Sequence, residues 1–137
     1  MASDCAQRAT CYELRRQVFV LEQGIDPSLE RDVHDAQALH LLALRGELPV
    51  GCARALFSAA RVKFGRMAVV RAARRQGVGH ALLCRLLQIA RQRGARYAYL
   101  NAQLGVERFY ARQGFSPIGD VFIEAGIPHR RMELRLD

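Results

Sequence analysis

The spacing of apolar residues predicts one long amphipathic helix in the middle of the chain. Apolar positions recur every three or four residues over 78–93, and Gly94 follows as a stop signal. The apolar stripe consists of Leu82, Leu83, Leu86, Leu87 and Ala90. An earlier helix is expected to begin at a capping box formed by Thr10 and Glu13, and to end at Gly24.

Shorter apolar runs predict strands on both sides of the long helix. Runs at 40–44 and 50–57 flank turn residues and predict a β-hairpin. A third strand is expected over 61–70, where Gly65 indicates a bulge or a close backbone approach. The remaining elements are a strand at 97–100, a short helix at 105–113, and strands at 115–123 and 131–136 joined through 126–128. This order predicts an α/β fold whose mixed sheet is parallel across the helix 78–93 and antiparallel at its ends.

Composition and charge narrow the class of protein. The 137 residues are 50% hydrophobic and 7% aromatic, which fits a single globular domain over 1–137. The formal net charge is +8, and Lys63 is the only basic residue among 21 that is not arginine. Eleven of the basic residues lie within 48–106, a span without any acid. Because arginine matches phosphate in charge and shape, this excess favours a phosphorylated or polyanionic ligand.

Acidic residues concentrate in a polar segment that is predicted to be a loop, with or without a short helix. They are Glu22, Asp26, Glu30, Asp32 and Asp35. Such a run is most often a solvated surface. It would also suit a cationic amine if it bordered an acceptor pocket.

Cysteine spacing and the start of the chain exclude several classes. The four cysteines form no C-x-x-C pair and have no second ligand at zinc spacing, so no metal is expected. Two disulfides are open by number, but the first residues lack a basic and apolar leader, which favours reduced thiols and a cytoplasmic location. No apolar run approaches the roughly 20 residues of a membrane span, so no membrane partner is expected.

An anion site is expected where the third strand passes into the long helix. Arg74 and Arg75 precede Gly77 and Gly79 there, and free N–H groups at a helix start attract phosphate. A Rossmann fingerprint requires a third glycine where this chain has Leu82, and a Walker A loop requires a following G-K-[ST]. Both of these nucleotide-binding alternatives fail.

The pattern Arg74-Arg75-Gln76-Gly77-Val78-Gly79, between a strand and a helix, resembles the GNAT superfamily of N-acetyltransferases. The stretches 100–103 and 109–115 resemble the second half of the same cofactor site. Two further stretches, 14–23 and 126–132, resemble the ElaA-like branch in particular. The resemblance covers residues 12–136 and implies the GNAT fold, although residues 1–9 depart from the first strand that the family usually has.

The resemblance implies acetyl-CoA as cosubstrate and indicates the residues that would bind it. Backbone groups of Met67, Ala68 and Val69 would hydrogen-bond the pantetheine arm as an added strand. Backbone N–H groups from Gln76 to Gly79 would hold the pyrophosphate. The remaining cofactor candidates are Arg74, Arg75, Gly77, Val78, His80, Asn101 and Phe109.

The expected reaction is a direct transfer of the acetyl group to a primary amine, because Cys84 shares a helix face with His80 away from a plausible triad and the other cysteines lack a paired base. By the resemblance, Tyr110 would protonate the departing CoA thiolate as a general acid. The base is less defined, and Glu22, His40 and a water chain are all open. His129 would line the substrate mouth, and Asn101 would hydrogen-bond either the cofactor or a bound water.

Two other functions stay open at this point. Arginine-rich segments are typical of nucleic-acid binding, but few aromatics and no RNA-binding motif make nucleic acid the less favoured partner. An acyl-CoA sensor with a GNAT fold and no turnover fits the same cofactor motifs. The sequence also leaves open which amine is acetylated, in a small molecule or a protein, and whether the chain forms a homodimer.

Overall fold

The predicted strands join into one sheet in the computed structural model, which describes residues 1–2 and 4–136. In chain order the strands are β1 (Leu39–Arg45), β2 (Leu48–Ser58), β3 (Arg61–Val69), β4 (Tyr97–Gln103), β5 (Ser116–Glu124) and β6 (Ile127–Arg135). Their order across the sheet is β1-β2-β3-β4-β6-β5. Only β3 and β4 are parallel, joined by the long helix, and the other neighbours are antiparallel. The predicted mixed α/β fold is thereby confirmed.

Helical segments cover both faces of the sheet. They are α1 (Cys5–Arg15), α2 (Pro27–Glu30), α3 (Val78–Gln92) and α4 (Glu107–Ala111). A π-helix, Arg16–Glu22, continues α1 without a break, and 3₁₀ turns occupy Val33–Ala36 and Arg71–Ala73. None of the helices among the described residues is long and apolar enough to cross a membrane.

Two apolar layers define the faces of the sheet. On the α3 face, the whole predicted stripe of α3 is buried against strand residues such as Phe64 and Leu100. On the α1 face, Leu14 and Val18 of the first helix pack against Ala68. Side chains therefore alternate between the two faces along each central strand.

The start of the first helix was predicted wrongly. The helix begins at Cys5, where Asp4 is the N-cap and its side chain accepts a hydrogen bond from the backbone N–H of Gln7 at 2.7 Å. Thr10 lies inside the helix and donates its hydroxyl to the carbonyl of Ala6 at 3.0 Å. The helix begins ahead of Thr10 because Asp4 combines an extended backbone, with a φ of −107°, and a side chain that caps the first turn.

The π-helix changes which residues face the core. A 3.6-residue period places Leu21 in the apolar stripe, but Leu21 is 63% exposed. The wider π turn directs Val18 and the neighbouring Phe19 inward instead. The helix ends as predicted before Gly24, which adopts a φ of 74°.

The acidic segment is not a solvated loop, which corrects the more common interpretation of such a run. Arg15 is 1% exposed and hydrogen-bonds the carboxylate of Glu30 and, at 2.7 Å, that of Asp35. Arg54 reaches Asp35 at 3.1 Å and Asp32 at 2.8 Å. Three acids that could have bordered an amine pocket, Glu30, Asp32 and Asp35, are thus paired within the protein. Arg54, which could have bound phosphate, is one of their partners.

Removing Arg15 tests the contribution of this network to stability. Burial alone would raise the pKa of Asp35, but hydrogen bonds from Arg15 and from the Asp32 backbone hold it well below its usual value. We expect Arg15→Met to leave the buried carboxylate of Glu30 without its ion partner and that of Asp35 with Arg54 alone, and to lower the free energy of unfolding by about 3–5 kcal/mol, measured by urea denaturation. Arg16→Met, which removes an exposed ion pair with Glu13 on the same helix, is the control and should change stability little.

The same experiment has a pH dependence with a defined sign. Because the folded pKa of Asp35 lies below the unfolded value of about 3.9, its contribution is complete above that pH and is lost as the pH falls through the folded value. The difference between wild type and Arg15→Met should therefore shrink in acid. A difference that is constant with pH contradicts the ion-pair explanation.

Candidate active site

The two parallel strands of the sheet separate at one end and leave a gap. Strands β3 and β4 pair only from Arg61 and Tyr97 to Phe64 and Leu100, although both continue beyond that point. Within the described residues, the edge of β3 that faces β4 has no strand partner after Phe64. Its backbone N–H and C=O groups are thus open to an extended ligand, as an added strand would be.

A bulge in β3 starts the separation. Gly65 pairs with Arg54 and Ala68 pairs with Cys52, so two residues of β3 oppose one residue of β2. The sequence predicted a bulge or a close approach at Gly65, and the next residue, Arg66, has a φ of 48°. This backbone conformation is costly for a residue with a side chain. Its guanidinium holds this conformation by donating to the carbonyl of Glu30 at 2.9 Å and by pairing with Asp32 at 3.2 Å.

The turn that leads from β3 into α3 presents backbone donors at the end of the gap. Gly77 is the N-cap of α3 with a φ of 85°, and within the described chain no side chain caps this helix start. An added Cβ at Gly79 would lie 3.3 Å from the ring of Phe109, so this glycine allows α4 to pack against the loop. The uncapped N–H groups and the helix dipole together make this turn suited to a phosphate group.

The basic side chains of this loop are partly occupied. Arg74 binds both carboxylate oxygens of Glu22 at 2.6 Å and donates from Nε to the carbonyl of Val69 at 2.9 Å. The hydrogen bonds from Arg74 lower the pKa of Glu22. A shallow cavity of about 300 Å³ between the π-helix and the loop is lined in part by Glu22 and Arg71. Glu22, the predicted base, and Arg74, a predicted cofactor-binding residue, are thus paired with each other.

The remaining loop candidates lie at the surface. Arg75 is exposed with a φ of 63°, and the side chain of Gln76 accepts a hydrogen bond from Arg45. Val78 packs onto the α3 core. His80 lies 3.4 Å from the sulfur of Cys84 through Nε2.

Tyr110 lies on the α3 side of the gap, on the short helix that follows β4. Its ring is edge-on to Phe109, with centroids 5.0 Å apart, and to Phe115 at 6.1 Å. Burial raises the pKa of Tyr110 to about 12. The phenol therefore keeps its proton at neutral pH and can donate it in a hydrogen bond.

A polar cluster occupies the α1 face beside the gap. Asn101 on β4 donates from Nδ2 to Oε1 of Glu124 at 3.2 Å, and His129 on β6 lies 3.7 Å from the other oxygen of Glu124. The amides of Gln23 and Gln103 hydrogen-bond each other next to it, at 2.9 Å for the shorter contact. Glu124 was missed by the sequence motifs, and the signal for it is an acid two positions before the stretch 126–132.

His40 is separated from these groups. It lies on β1, two strands from β3, and its Nε2 contacts the backbone carbonyl of Asp35 at 2.9 Å. Burial lowers the pKa of His40. The structure thus places it in the packing under α1, where its edge-on neighbour is Tyr12, and not beside Tyr110.

Comparison with known proteins identifies the family that this fold and this gap define. The sequence model of the acetyltransferase (GNAT) domain family matches residues 2–136 of this chain. The chain belongs to the GNAT acetyltransferase family, and the enzyme class is that of the acyltransferases.

Within the family, the chain is similar to ElaA. The crystal structure of Escherichia coli ElaA superposes with a TM-score of 0.84 at 32% identity, over 95% of this chain and 90% of that one. An acyl-CoA N-acyltransferase from Pseudomonas aeruginosa gives a TM-score of 0.84 at 34% identity, over 95% and 91%. The uncharacterized N-acetyltransferase YjcF of Bacillus subtilis is 32% identical over 133 residues, 96% of this chain and 95% of its own.

The left-handed N-cap of α3 provides a test of the phosphate loop. We expect Gly77→Ala to strain the turn by about 1–2 kcal/mol and to displace the donors that follow it. The dissociation constant for CoA, measured by calorimetry, should rise about tenfold, as for one lost hydrogen bond to a charged group.

The matched control for this variant is Gly94→Ala at the other end of α3. Gly94 has a φ of 79° and, like Gly77, nothing within 4 Å of an added Cβ. Both variants should lose similar thermal stability, and only Gly77→Ala should lose CoA affinity. An equal loss of affinity in the two variants would show that strain in the helix, and not the loop, is responsible.

Proposed function

We propose that this GNAT acyltransferase moves the acetyl group of acetyl-CoA directly to a primary amine in a ternary complex. The observation that carries the proposal is the gap between β3 and β4, whose open strand edge at Met67–Val69 continues into the uncapped start of α3. An extended pantetheine arm fits the first feature and a pyrophosphate fits the second. Of the backbone groups concerned, the carbonyl of Val69 is held by Arg74 in this structure.

The chemistry needs two proton transfers around one displacement. The amine nitrogen attacks the thioester carbon, so that a C–N bond forms and the C–S bond breaks, while the amine gives up a proton. The departing thiolate takes a proton from the phenol of Tyr110, which burial keeps protonated. Solvent then returns a proton to Tyr110. The enzyme ends unchanged, with N-acetylated amine and free CoA as products.

Binding and turnover are tested separately. Calorimetry with acetyl-CoA measures the first, and release of CoA thiol over a panel of amines measures the second. Binding with amine-dependent thiol release supports the proposal. Binding without release for any amine favours an acyl-CoA sensor, and absence of binding of any CoA ester overturns the proposal.

Tyr110→Phe isolates the acid. Phenylalanine keeps the ring that contacts Phe109 and Phe115, but it has no proton to give. We expect kcat to fall by about 10²–10⁴-fold, the usual contribution of a general acid, while the dissociation constant for CoA stays unchanged. Tyr99→Phe, a tyrosine on the other face of the sheet with Arg61 and Arg131 over its ring, is the control. Turnover that is unchanged in Tyr110→Phe removes this assignment.

Glu22 remains our candidate for the base, and its ion pair sets the condition for that role. A carboxylate with a lowered pKa is a weak base, so Arg74 has to leave Glu22 before Glu22 can accept a proton. Arg74 would be drawn away by the CoA phosphates. We expect Glu22→Gln to lower kcat by about 10²-fold at saturating acetyl-CoA. Retained kcat would leave a water chain as the proton acceptor.

We also propose a cytoplasmic location. The support for it is the state of the cysteines, all four of which are free although Cys5 and Cys84 are exposed. Exposed free thiols are typical of a reducing compartment.

A further inference from the structure

The polar cluster on the α1 face contains a carboxylate, Glu124, that takes no part in the proposed acetyl transfer. Its three members come from neighbouring strands: Asn101 from β4, His129 from β6 and Glu124 from β5. Asn101 and Gln103 lie on the part of β4 that continues past the last pair with β3. The cluster therefore borders the gap on the face opposite Tyr110.

Glu124 differs from the other carboxylates around the gap because, in the part of the chain that the structure describes, its ion-pair partner is a histidine and not an arginine or a lysine. Glu22 pairs with Arg74, and Glu133, farther along the same face, pairs with Arg131 at 3.0 Å. Glu124 is 43% exposed, and in the part of the chain that the structure describes no arginine or lysine comes within ion-pair distance of it. The Asn101 amide and the His129 ring contact its two carboxylate oxygens. A carboxylate that no arginine or lysine holds thus lies beside the gap.

The ring of His129 directs its Nε2 atom toward the carboxylate of Glu124. Its Nδ1 lies 2.6 Å from the carbonyl oxygen of Ile127, and because a carbonyl only accepts, Nδ1 carries the hydrogen. Phe122 stacks on the ring at 6.0 Å and 25°, which fixes the plane of the ring. The side chain of His129 is 8% exposed, and its Nε2 points at Glu124 from 3.7 Å. In the neutral ring that nitrogen is an acceptor facing another acceptor.

When Nδ1 carries the only hydrogen of the His129 ring, Nε2 and the Glu124 carboxylate are two converging acceptors, and a donor placed between them satisfies both. A protonated primary amine has three N–H donors, a positive charge and no acceptor, and an alkylamine is in this form at neutral pH. Arg131, a cation on the same face, is engaged by Glu133 and lies over the ring of Tyr99. The charge and the hydrogen-bonding pattern of the cluster are therefore complementary to an alkylammonium group.

We propose that Glu124, with His129, binds the ammonium group of a cationic acceptor amine. The inference rests on the proposed function and narrows the substrate class to alkylamines that bear a positive charge and no acid next to the nitrogen. The bound nitrogen is either the one that reacts, before it loses its proton, or a second ammonium of a diamine. Both cases use the same recognition, and the choice of probe amines separates them.

The test uses n-butylamine and 1,4-diaminobutane as probes with saturating acetyl-CoA. We expect Glu124→Gln to raise KM for the amine about tenfold, as for one lost hydrogen bond to a charged group. The dissociation constant for acetyl-CoA should stay unchanged. A rise in KM for both amines identifies the reacting nitrogen as the bound one, and a rise for the diamine alone identifies the second ammonium.

Glu133→Gln is the matched control, because it removes the same charge from the same sheet face without touching the cluster. Its KM for both amines should equal that of the wild type. A second readout is independent of turnover: the Nε2 resonance of His129 in the CoA complex should shift on addition of 1,4-diaminobutane, and should not shift in Glu124→Gln.

The outcomes separate this inference from the proposed function. A wild type that fails to bind acetyl-CoA overturns the proposed function. A wild type that binds acetyl-CoA while Glu124→Gln keeps the wild-type KM overturns only the role of Glu124. If neither amine is acetylated, the His129 resonance decides, and its failure to respond to the diamine overturns the inference.

Discussion

The left-handed backbone of Arg66 is the point at which the sheet opens, and the site depends on the contacts that hold it there. A residue with a side chain adopts this conformation at a cost of about 1–3 kcal/mol. The Glu30 carbonyl and the Asp32 carboxylate bind its guanidinium and offset that cost. Beyond the bulge, β3 diverges from β4 and the edge of the sheet becomes available to a ligand. The geometry of the gap therefore depends on contacts that β3 makes with the segment after the first helix, through Glu30 and Asp32.

The ion network that anchors Arg66 also explains why the chain has so many arginines. Three arginines meet three carboxylates between the first helix, the loop after it and strands β2 and β3, so the buried charges balance. The members are Arg15, Arg54, Arg66, Glu30, Asp32 and Asp35. Arginine suits this role because its planar fork bonds several oxygens at once. These three arginines are thus structural, and because the network is neutral the net charge of +8 resides on the other residues.

Much of the fold was predictable from sequence because its signals are local. The stripe of α3 and the turn between β1 and β2 each lie within a few residues, and the cofactor motif follows directly on a strand. The π-helix was not predictable, because a 3.6-residue period is the only template for a helical stripe and it misplaces Leu21. The partners of Arg15 are 15 and 20 residues away, and nothing in the acidic run distinguishes a paired carboxylate from a solvated one.

The site was predictable to the same extent. The loop with Gly77 and Gly79, and Tyr110 beside Phe109, lie around the gap where the motifs placed them. His40 and Glu124 show the limit. His40 has the right chemistry but lies two strands away, while Glu124 reaches Asn101 only because β5 and β6 form a hairpin next to β4. The order of the strands depends on how the whole sheet assembles, and a short sequence motif carries no information about that order.

Because Arg74 is already paired with Glu22, it would have to exchange this carboxylate for a phosphate when a phosphate binds. An unpaired arginine would gain a full charge interaction on binding and would release counterions, so its affinity would fall steeply with added salt. In our proposal Arg74 instead exchanges one anion for another, and the carboxylate of Glu22 stays on the π-helix with Arg71, 3.6 Å away, as its remaining partner. Arrival of the cosubstrate would thus remove one of the two arginines that hold Glu22, which couples cosubstrate binding to the ability of Glu22 to accept a proton.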